Sequence, residues 1–236
     1  MKGAQLAAEF NVVSAELESL SYAVSHDLRA PVRAVLGYAR ALEEDYGAQL
    51  DDEGRRLLSI VAGEASRLGG MIDDVLALSS IGRQSLANEP VDMTSLAREV
   101  ALEQSHLAAR RASIAVVPGT HGDRVLLRDV WSRLFANAGT ATRNRPDPIL
   151  EVWATTDAER VVYHVRDNGV GFDMKYGAKL FSLFQKLHRG ADFPGTGAGL
   201  AIVQRIVHRH GGTIWADARP GEGATFSFTL PSGRAP

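Results

Sequence analysis

Along the first third of the chain, apolar residues return every three or four positions. From about Gln5 to Arg83 this rhythm is helical, and no strand pattern interrupts it. Val13, Leu17, Leu20, Val24, Leu28, Pro31, Val35, Tyr38 and Leu42 make one stripe. Leu57, Val61, Leu68, Met71, Val75 and Leu78 make a second, with Glu64 as its polar interruption. Between them "DYGAQLDDEGRR" breaks the period: Gly47 is a stop signal, and Asp51 or Asp52 caps the next helix. Two such helices form an antiparallel hairpin that cannot bury both stripes by itself. Pairing with a second copy, as a dimeric four-helix bundle, solves that. Residues 1–84 are therefore expected to be an all-α dimerisation module.

"SIGRQSLANEP", Ser80 to Pro90, reads as a linker, and the pattern then changes. A helix is predicted from about Asp92 to Arg110, then a strand at "SIAVV", then a helix from about Asp123 to Ala141. Strands follow at "ILEVWAT" and "RVVYHVRD". After a glycine-rich tract come a helix from about Ala198 to His210 and strands at "GTIWAD" and "GATFSFTL". Helices alternating with strands and punctuated by glycine predict an α/β two-layer sandwich over residues 85–236.

Composition narrows the function classes. A total of 236 residues, 45% apolar and 23% charged, suits a soluble globular protein of one or two domains. Twenty-six basic against 28 acidic residues leave a net charge of −2, which argues against a general nucleic-acid binder. The absence of cysteine excludes disulfides, thiol catalysis and cysteine-ligated zinc, and suits a cytoplasmic location. No apolar run is long enough to span a membrane, and the start is unlike a signal peptide. The chain opens directly into a long helix, so a sensory part is expected to lie outside it.

Five stretches are chemically informative. "SYAVSHDLRAPVRAV" places His26 and Asp27 one turn before Pro31. A proline in a helix interior costs about 3 kcal/mol, and accepting that beside an ionisable pair is unusual. At 100° per residue His26 lies roughly 200° from Val24 and Leu28, so its imidazole is expected to face water. "RDNGVGF" sets Asp167, Gly169 and Gly171 after a strand: a carboxylate able to accept from an exocyclic amine, and glycines that allow close ligand approach. An ordinary tight turn would read the same way. "FPGTGAGLAIVQRI" sets Gly195, Thr196, Gly197, Gly199 and Leu200 at a helix start, where backbone N–H groups favour a phosphate. A dinucleotide-binding fingerprint should instead follow the first strand of a βαβ unit. "DVWSRLFANAGTAT" offers Asn137, whose amide oxygen suits Mg²⁺ among phosphate oxygens and water. Phe181 and Phe184 in "KLFSLFQKLH" are predicted to be a helix packing face, or else the hinge of a flap. Trp131, Trp153 and Trp215 are expected in packing roles. His208 and His210 lack the neighbours a metal site needs.

In this order the motifs resemble the sensor histidine kinases, from about Glu16 to Pro231. "SHDLRAP" resembles the phosphoacceptor box, "LFANA" the asparagine box, and "DNGVGF" and "GTGAGL" the two glycine boxes. The tracts "TRNRPDP" and "FQKLHRGADFPGTGAGLAIVQRIVHRHGG" are similar to kinases attached to bacterial phytochromes. The resemblance implies a dimeric histidine-phosphotransfer hairpin and an ATP-binding domain of the fold shared with gyrase-type and Hsp90-type ATPases. It implies His26 as phosphoacceptor, with Asp27 orienting or deprotonating it. Asn137 would hold Mg²⁺, Asp167 would read adenine, and Gly169 and Gly171 would shape the adenine pocket. Phe184, Gly195, Thr196, Gly197, Gly199 and Leu200 would form the flap and the phosphate-facing helix start. The implied cofactors are ATP and Mg²⁺, and the implied partners are a second copy and a response-regulator receiver domain.

Four positions depart from the family. Thr140 and Ala141 stand where a basic and then an aromatic residue are usual, and Arg133 replaces an earlier asparagine. Weak ATP binding is expected unless Arg143 or Arg145 substitutes for the missing cation. Ala30, four residues after His26, lacks the polar group that would place a hydrolytic water. The rival to an active kinase is a degenerate signalling scaffold of the same fold. A gyrase-like ATPase leaves the histidine helix unexplained.

Overall fold

The computed structural model describes residues 2–104, 111–156, 160–188, 193 and 195–232; the side chains of residues 2–20 and 111 are outside that description. The chain divides into two compact units, Met1–Arg83 and Gln84–Pro236.

The first unit is two helices, α1 (Lys2–Tyr46) and α2 (Asp52–Arg83). Helix α1 ends at the expected stop, and Asp51 is the cap of α2: its Oδ1 accepts the Gly54 N–H at 2.7 Å. Pro31 lies inside α1, which continues through it. The surfaces the two helices bury carry Ser25 and Ala39 on α1 and Ala65, Ile72, Leu76 and Ser79 on α2. Small residues there let the helices approach closely, and the Arg29 guanidinium ties α1 to Asp73 of α2 at 2.6 Å. The predicted α1 stripe is displaced by about one position from this seam. Val24, Leu28, Val35, Tyr38 and Leu42 stay exposed, as do Leu57, Val61 and Leu68. Of these, Leu28, Val35, Val61 and Leu68 line an apolar groove together with Pro31 and Met71. Val13, Leu17 and Leu20, the start of the stripe, fall among the undescribed side chains.

Helix α2 runs to Arg83 and strand β1 (Glu89–Val91) starts before the predicted linker ends, so the connection is shorter than the sequence suggests. The elements that follow are α3 (Met93–Glu103), β2 (Arg111–Ile114), β3 (Thr120–Gly122), α4 (Arg124–Ala141), β4 (Ile149–Thr156) and β5 (Arg160–Asp167). A 3₁₀ turn (Met174–Lys179), α5 (Gly199–Arg209), β6 (Ile214–Arg219) and β7 (Gly223–Pro231) complete the unit. Asp92 and Asp123 cap α3 and α4 by accepting two backbone N–H groups each. The last part of the helix predicted to Arg110 lies outside the described residues. Strand β2 sits two residues earlier than "SIAVV" because Val117 bonds instead to the Thr94 hydroxyl through both its N–H and its carbonyl.

The main sheet has the order β2-β4-β5-β7-β6, with β2 parallel to β4 and every other pair antiparallel. Alternation along the strands gives it one buried face: Leu150 and Val152, then Val161, Tyr163 and Val165, then Phe226, Phe228 and Leu230. The helices cover that face, and Trp131 of α4 meets the Phe228 ring edge-on at 5.4 Å. Trp131 is thus a core residue. Trp153 stacks on His164 at 4.8 Å, on the other face of the sheet. Trp215 departs from expectation: it is 42% exposed, because β6 turns it outward. His210 is structural, with Nε2 accepting the Asp123 N–H at 3.0 Å and Nδ1 at 2.8 Å from the Ile206 carbonyl.

Candidate functional site

Two groups of residues stand apart chemically, one in each unit. On α1 the His26 side chain is 65% exposed, as its angular position predicts. Its Nδ1 lies 3.4 Å from Asp27 Oδ1, which favours a proton on Nδ1 and a lone pair on Nε2. The Tyr22 ring, one turn earlier, stacks on the imidazole at 6.4 Å and carries the Arg83 guanidinium 4.5 Å from its centroid. Pro31 has no N–H to offer the carbonyl of Asp27, four residues before it, so the backbone ladder is open beside this pair.

In the second unit a cavity of about 330 Å³ opens between α4, the end of β5, the segment after the 3₁₀ turn and the start of α5. Such a volume suits a small ligand. Helix α4 presents one face to it: Arg133, Ala136, Asn137, Thr140 and Ala141 recur at the helical period. Thr140 turns its hydroxyl back onto the Ala136 carbonyl at 3.0 Å, so it offers the cavity little polarity.

Asp167 sits at the end of β5, 2% exposed. Burial pushes its carboxyl up to about 6; the N–H groups of Gly169 and Ala224 and the Arg145 charge pull the other way. The Gly169 N–H donates to Asp167 Oδ1 at 2.8 Å. Gly171 has φ +59°, and a Cβ there would lie 1.9 Å from the Arg219 carbonyl oxygen, so only glycine lets the two loops meet. Arg145 binds the loop from behind, donating to the carbonyls of Gly169 and Gly221. Neither Arg145 nor Arg143 lines the cavity.

The opposite wall begins at Gly195 and runs through Thr196 and Gly197 into Gly199 and Leu200. Helix α5 starts there with no side-chain cap; Ala198 is its N-cap residue. Uncapped N–H groups and the positive helix end form a ready anion site. Lys186 donates to the carbonyls of Phe193 and Gly195, and His188 Nε2 lies 2.8 Å from the Gly171 carbonyl. Residues 189–192 and 194, between these partners, lie outside the described residues.

Eight of the ten residues expected to hold a nucleotide line this one cavity: Asn137, Asp167, Gly171, Gly195, Thr196, Gly197, Gly199 and Leu200. Gly169 lies behind the wall, where its N–H holds Asp167. Phe184 does not line it either, and the predicted helix around it is absent. The 3₁₀ turn ends at Lys179, and Phe184 has φ +61°, a left-handed conformation that interrupts any helix. Among the described residues no cluster of three or more His, Asp or Glu could hold a metal on its own.

Comparison with known proteins gives two matches in chain order. Residues 16–84 match the His Kinase A (phospho-acceptor) domain, and residues 122–234 the "Histidine kinase-, DNA gyrase B-, and HSP90-like ATPase" family. The chain belongs to the sensor histidine kinases. Similar proteins include the "Phytochrome-like protein Cph1" of Synechocystis, 31% identical over 98% of this chain and 31% of that protein. "Cyanobacterial phytochrome A" of Nostoc is 34% identical over 98% of this chain and 30% of its own length. The chain therefore spans about a third of the length of these relatives. Among solved structures, full-length ShkA in complex with AMPPNP superposes with a TM-score of 0.67 and 28% identity, covering 92% of this chain and 47% of that one. The Acinetobacter baumannii histidine kinase AdeS, at 20% identity and a TM-score of 0.60, shares the fold.

Sequence reasoning passed over several residues of this histidine-kinase cavity. Leu180, Lys186, His188 and Phe193 line it from a segment with no regular period. Arg133 was visible only as a departure from the family pattern. The signal that could have found it is spacing, since it stands four residues before Asn137 and shares its face of α4.

Proposed function

We propose that this chain is the kinase core of a two-component system. It binds Mg-ATP in the cavity of the second unit, phosphorylates His26, and passes the phosphoryl group to an aspartate of a response-regulator receiver domain. The observation that carries this reading is the cavity wall itself. It joins a buried carboxylate, the Asn137 amide oxygen and an uncapped helix start, in a chain that also displays an exposed His–Asp pair. The ShkA complex with AMPPNP and the kinase relatives support the same reading.

The roles follow from chemistry. Phosphoryl transfer needs positioning and charge neutralisation above all. Asp167 accepts from the adenine amine, and the N–H groups at the start of α5 bind phosphate oxygens. The donor set fits Mg²⁺ as a hard ion held by the Asn137 amide oxygen, with phosphate and water completing its shell: Asn137 faces the cavity, and among the described residues no acidic cluster competes for the ion. When bound, Mg²⁺ neutralises phosphate charge. Asp27 keeps the Nδ1 proton in place, so the Nε2 lone pair of His26 attacks the γ-phosphorus. The bond from that phosphorus to its bridging oxygen breaks, and ADP leaves with the electron pair. The exposed stripe of the hairpin is covered by a second copy, giving a homodimer.

A degenerate scaffold is the second reading, favoured by the uncharged Thr140 and Ala141 in the cavity wall. Incubation with γ-labelled ATP and Mg²⁺ separates the two. The kinase reading expects acid-labile label on the wild-type chain and none on His26→Gln, which still binds nucleotide. A wild-type chain that binds ATP without acquiring label establishes the scaffold instead.

A further inference from the structure

The cavity holds a charge that the family pattern does not. Arg133 lies on the same face of α4 as Asn137, one turn earlier, and lines the cavity. Its Nε donates to Asp129 Oδ2 at 2.9 Å, an i,i+4 pair that holds the guanidinium against the helix, and the side chain stays 26% exposed. Its Nη1 lies 4.0 Å from where a side chain on Gly199 would begin, beside the first residue of α5. A cation is thus held at the positive end of a helix that no side chain caps. An anion placed between the two is attracted by both the guanidinium and the helix end. Two other candidate cations are differently engaged: Arg145 on the carbonyls of Gly169 and Gly221, Lys186 on those of Phe193 and Gly195.

We infer that Arg133 binds the polyphosphate of the nucleotide, supplying from one turn before Asn137 the charge that Thr140, one turn after it, does not. The charge has moved along a single helix face and still addresses the same anion. A guanidinium suits the task, since its planar fork can meet two phosphate oxygens at once. The inference rests on the nucleotide reading above and adds which residue compensates for the departure at position 140.

The test measures equilibrium binding of Mg-ATP and of adenosine to the whole chain at two salt concentrations. Arg133→Asn is expected to weaken Mg-ATP binding roughly 10- to 150-fold and leave adenosine binding unchanged. Its affinity should also depend less on salt than the wild type's. Arg133→Gln keeps a donor for Asp129 and should show the same loss if Arg133→Asn is poorly folded. Asp129→Asn/Arg133→Asn removes both charges. A persistent loss there assigns the effect to the guanidinium rather than to an aspartate left unpaired. Arg133→Asn/Thr140→Lys, which moves the cation back, should recover much of the affinity. Mg-ATP binding that stays within twofold of wild type in the Arg133 variants overturns the inference while the nucleotide reading stands. So does a parallel loss of adenosine binding. A wild-type chain that binds neither ligand overturns the nucleotide reading and the role of Arg133 with it.

Discussion

Asp167 carries the clearest single-residue consequence. Its ordinary carboxyl value of 3.8 rises to about 6 in the fold, chiefly through burial. Between those values the folded protein keeps a proton that the unfolded chain releases. Stability therefore falls as pH rises through that window and is level above it, by at most roughly 3 kcal/mol for a shift of about two units. Nucleotide affinity should run the other way. The adenine amine needs the ionised acceptor, so binding weakens as pH falls through about 6. Asp167→Asn should raise the stability of the nucleotide-free protein at pH 7 by about 1–2 kcal/mol in urea unfolding, and lower adenosine affinity about tenfold. A variant that is less stable at pH 7 would show that the charged carboxyl is held more favourably than its burial implies. The sequence disclosed Asp167, Asn137 and His26 because their chemistry is local: a carboxylate at a strand end, an amide on an apolar helix, an imidazole off the seam. Arg145 stood beside Arg143 as an alternative phosphate cation, and its partners in the fold, the carbonyls of residues 24 and 76 positions away, could not be foreseen. Spacing says nothing about contacts of that kind.

Helices and long strands were legible for the reason that Asp167 was. Strand β5 was expected at Arg160–Asp167 and lies there, since its alternation is long and flanked by turn residues. The three-residue strands β1 and β3 were not foreseen, as they are too short for any period to show. The segment around Phe184 misled because two phenylalanines at i, i+3 imitate a helix face. Its backbone is held instead by contacts such as Lys186 with Phe193 and Gly195. The glycines of the two cavity loops differ in kind, and that difference can be measured. A methyl group at Gly171 meets the Arg219 carbonyl, whereas one at Gly195, φ +102°, meets none of the described residues within 4 Å. Gly171→Ala should cost more than about 3 kcal/mol in chemical denaturation, because the wrong backbone region and a backbone clash combine. Gly195→Ala should cost only about 1–2 kcal/mol, the conformational part alone. Equal costs would mean that the loop carrying Gly171 shifts readily away from Arg219.

For the whole molecule, the deciding feature is the apolar stripe that the hairpin leaves outside. Leu28, Val35, Val61 and Leu68 are about half exposed in the single chain, a surface that asks for a partner. The homodimer proposed above makes the unfolding temperature rise with protein concentration. Leu68→Glu, which would bury an unpaired carboxylate at that interface, should remove this dependence and leave monomer in sedimentation. A wild-type monomer at micromolar concentration would contradict the pairing. The division of the chain at Arg83 has a further consequence, for synthesis. Both units are continuous in sequence, and the helical one comes first. Its contacts are local, so it folds in well under a second, whereas the sheet waits for β7 to reach β5. At ordinary translation rates the 153 residues after Arg83 take roughly 8–30 s to make. Throughout that interval a finished hairpin stands beside finished hairpins on neighbouring ribosomes of the same message. Two differently tagged copies expressed from separate messages should therefore form fewer mixed dimers than the one-half that random pairing gives, and mixing should approach it only after subunits exchange in the purified protein.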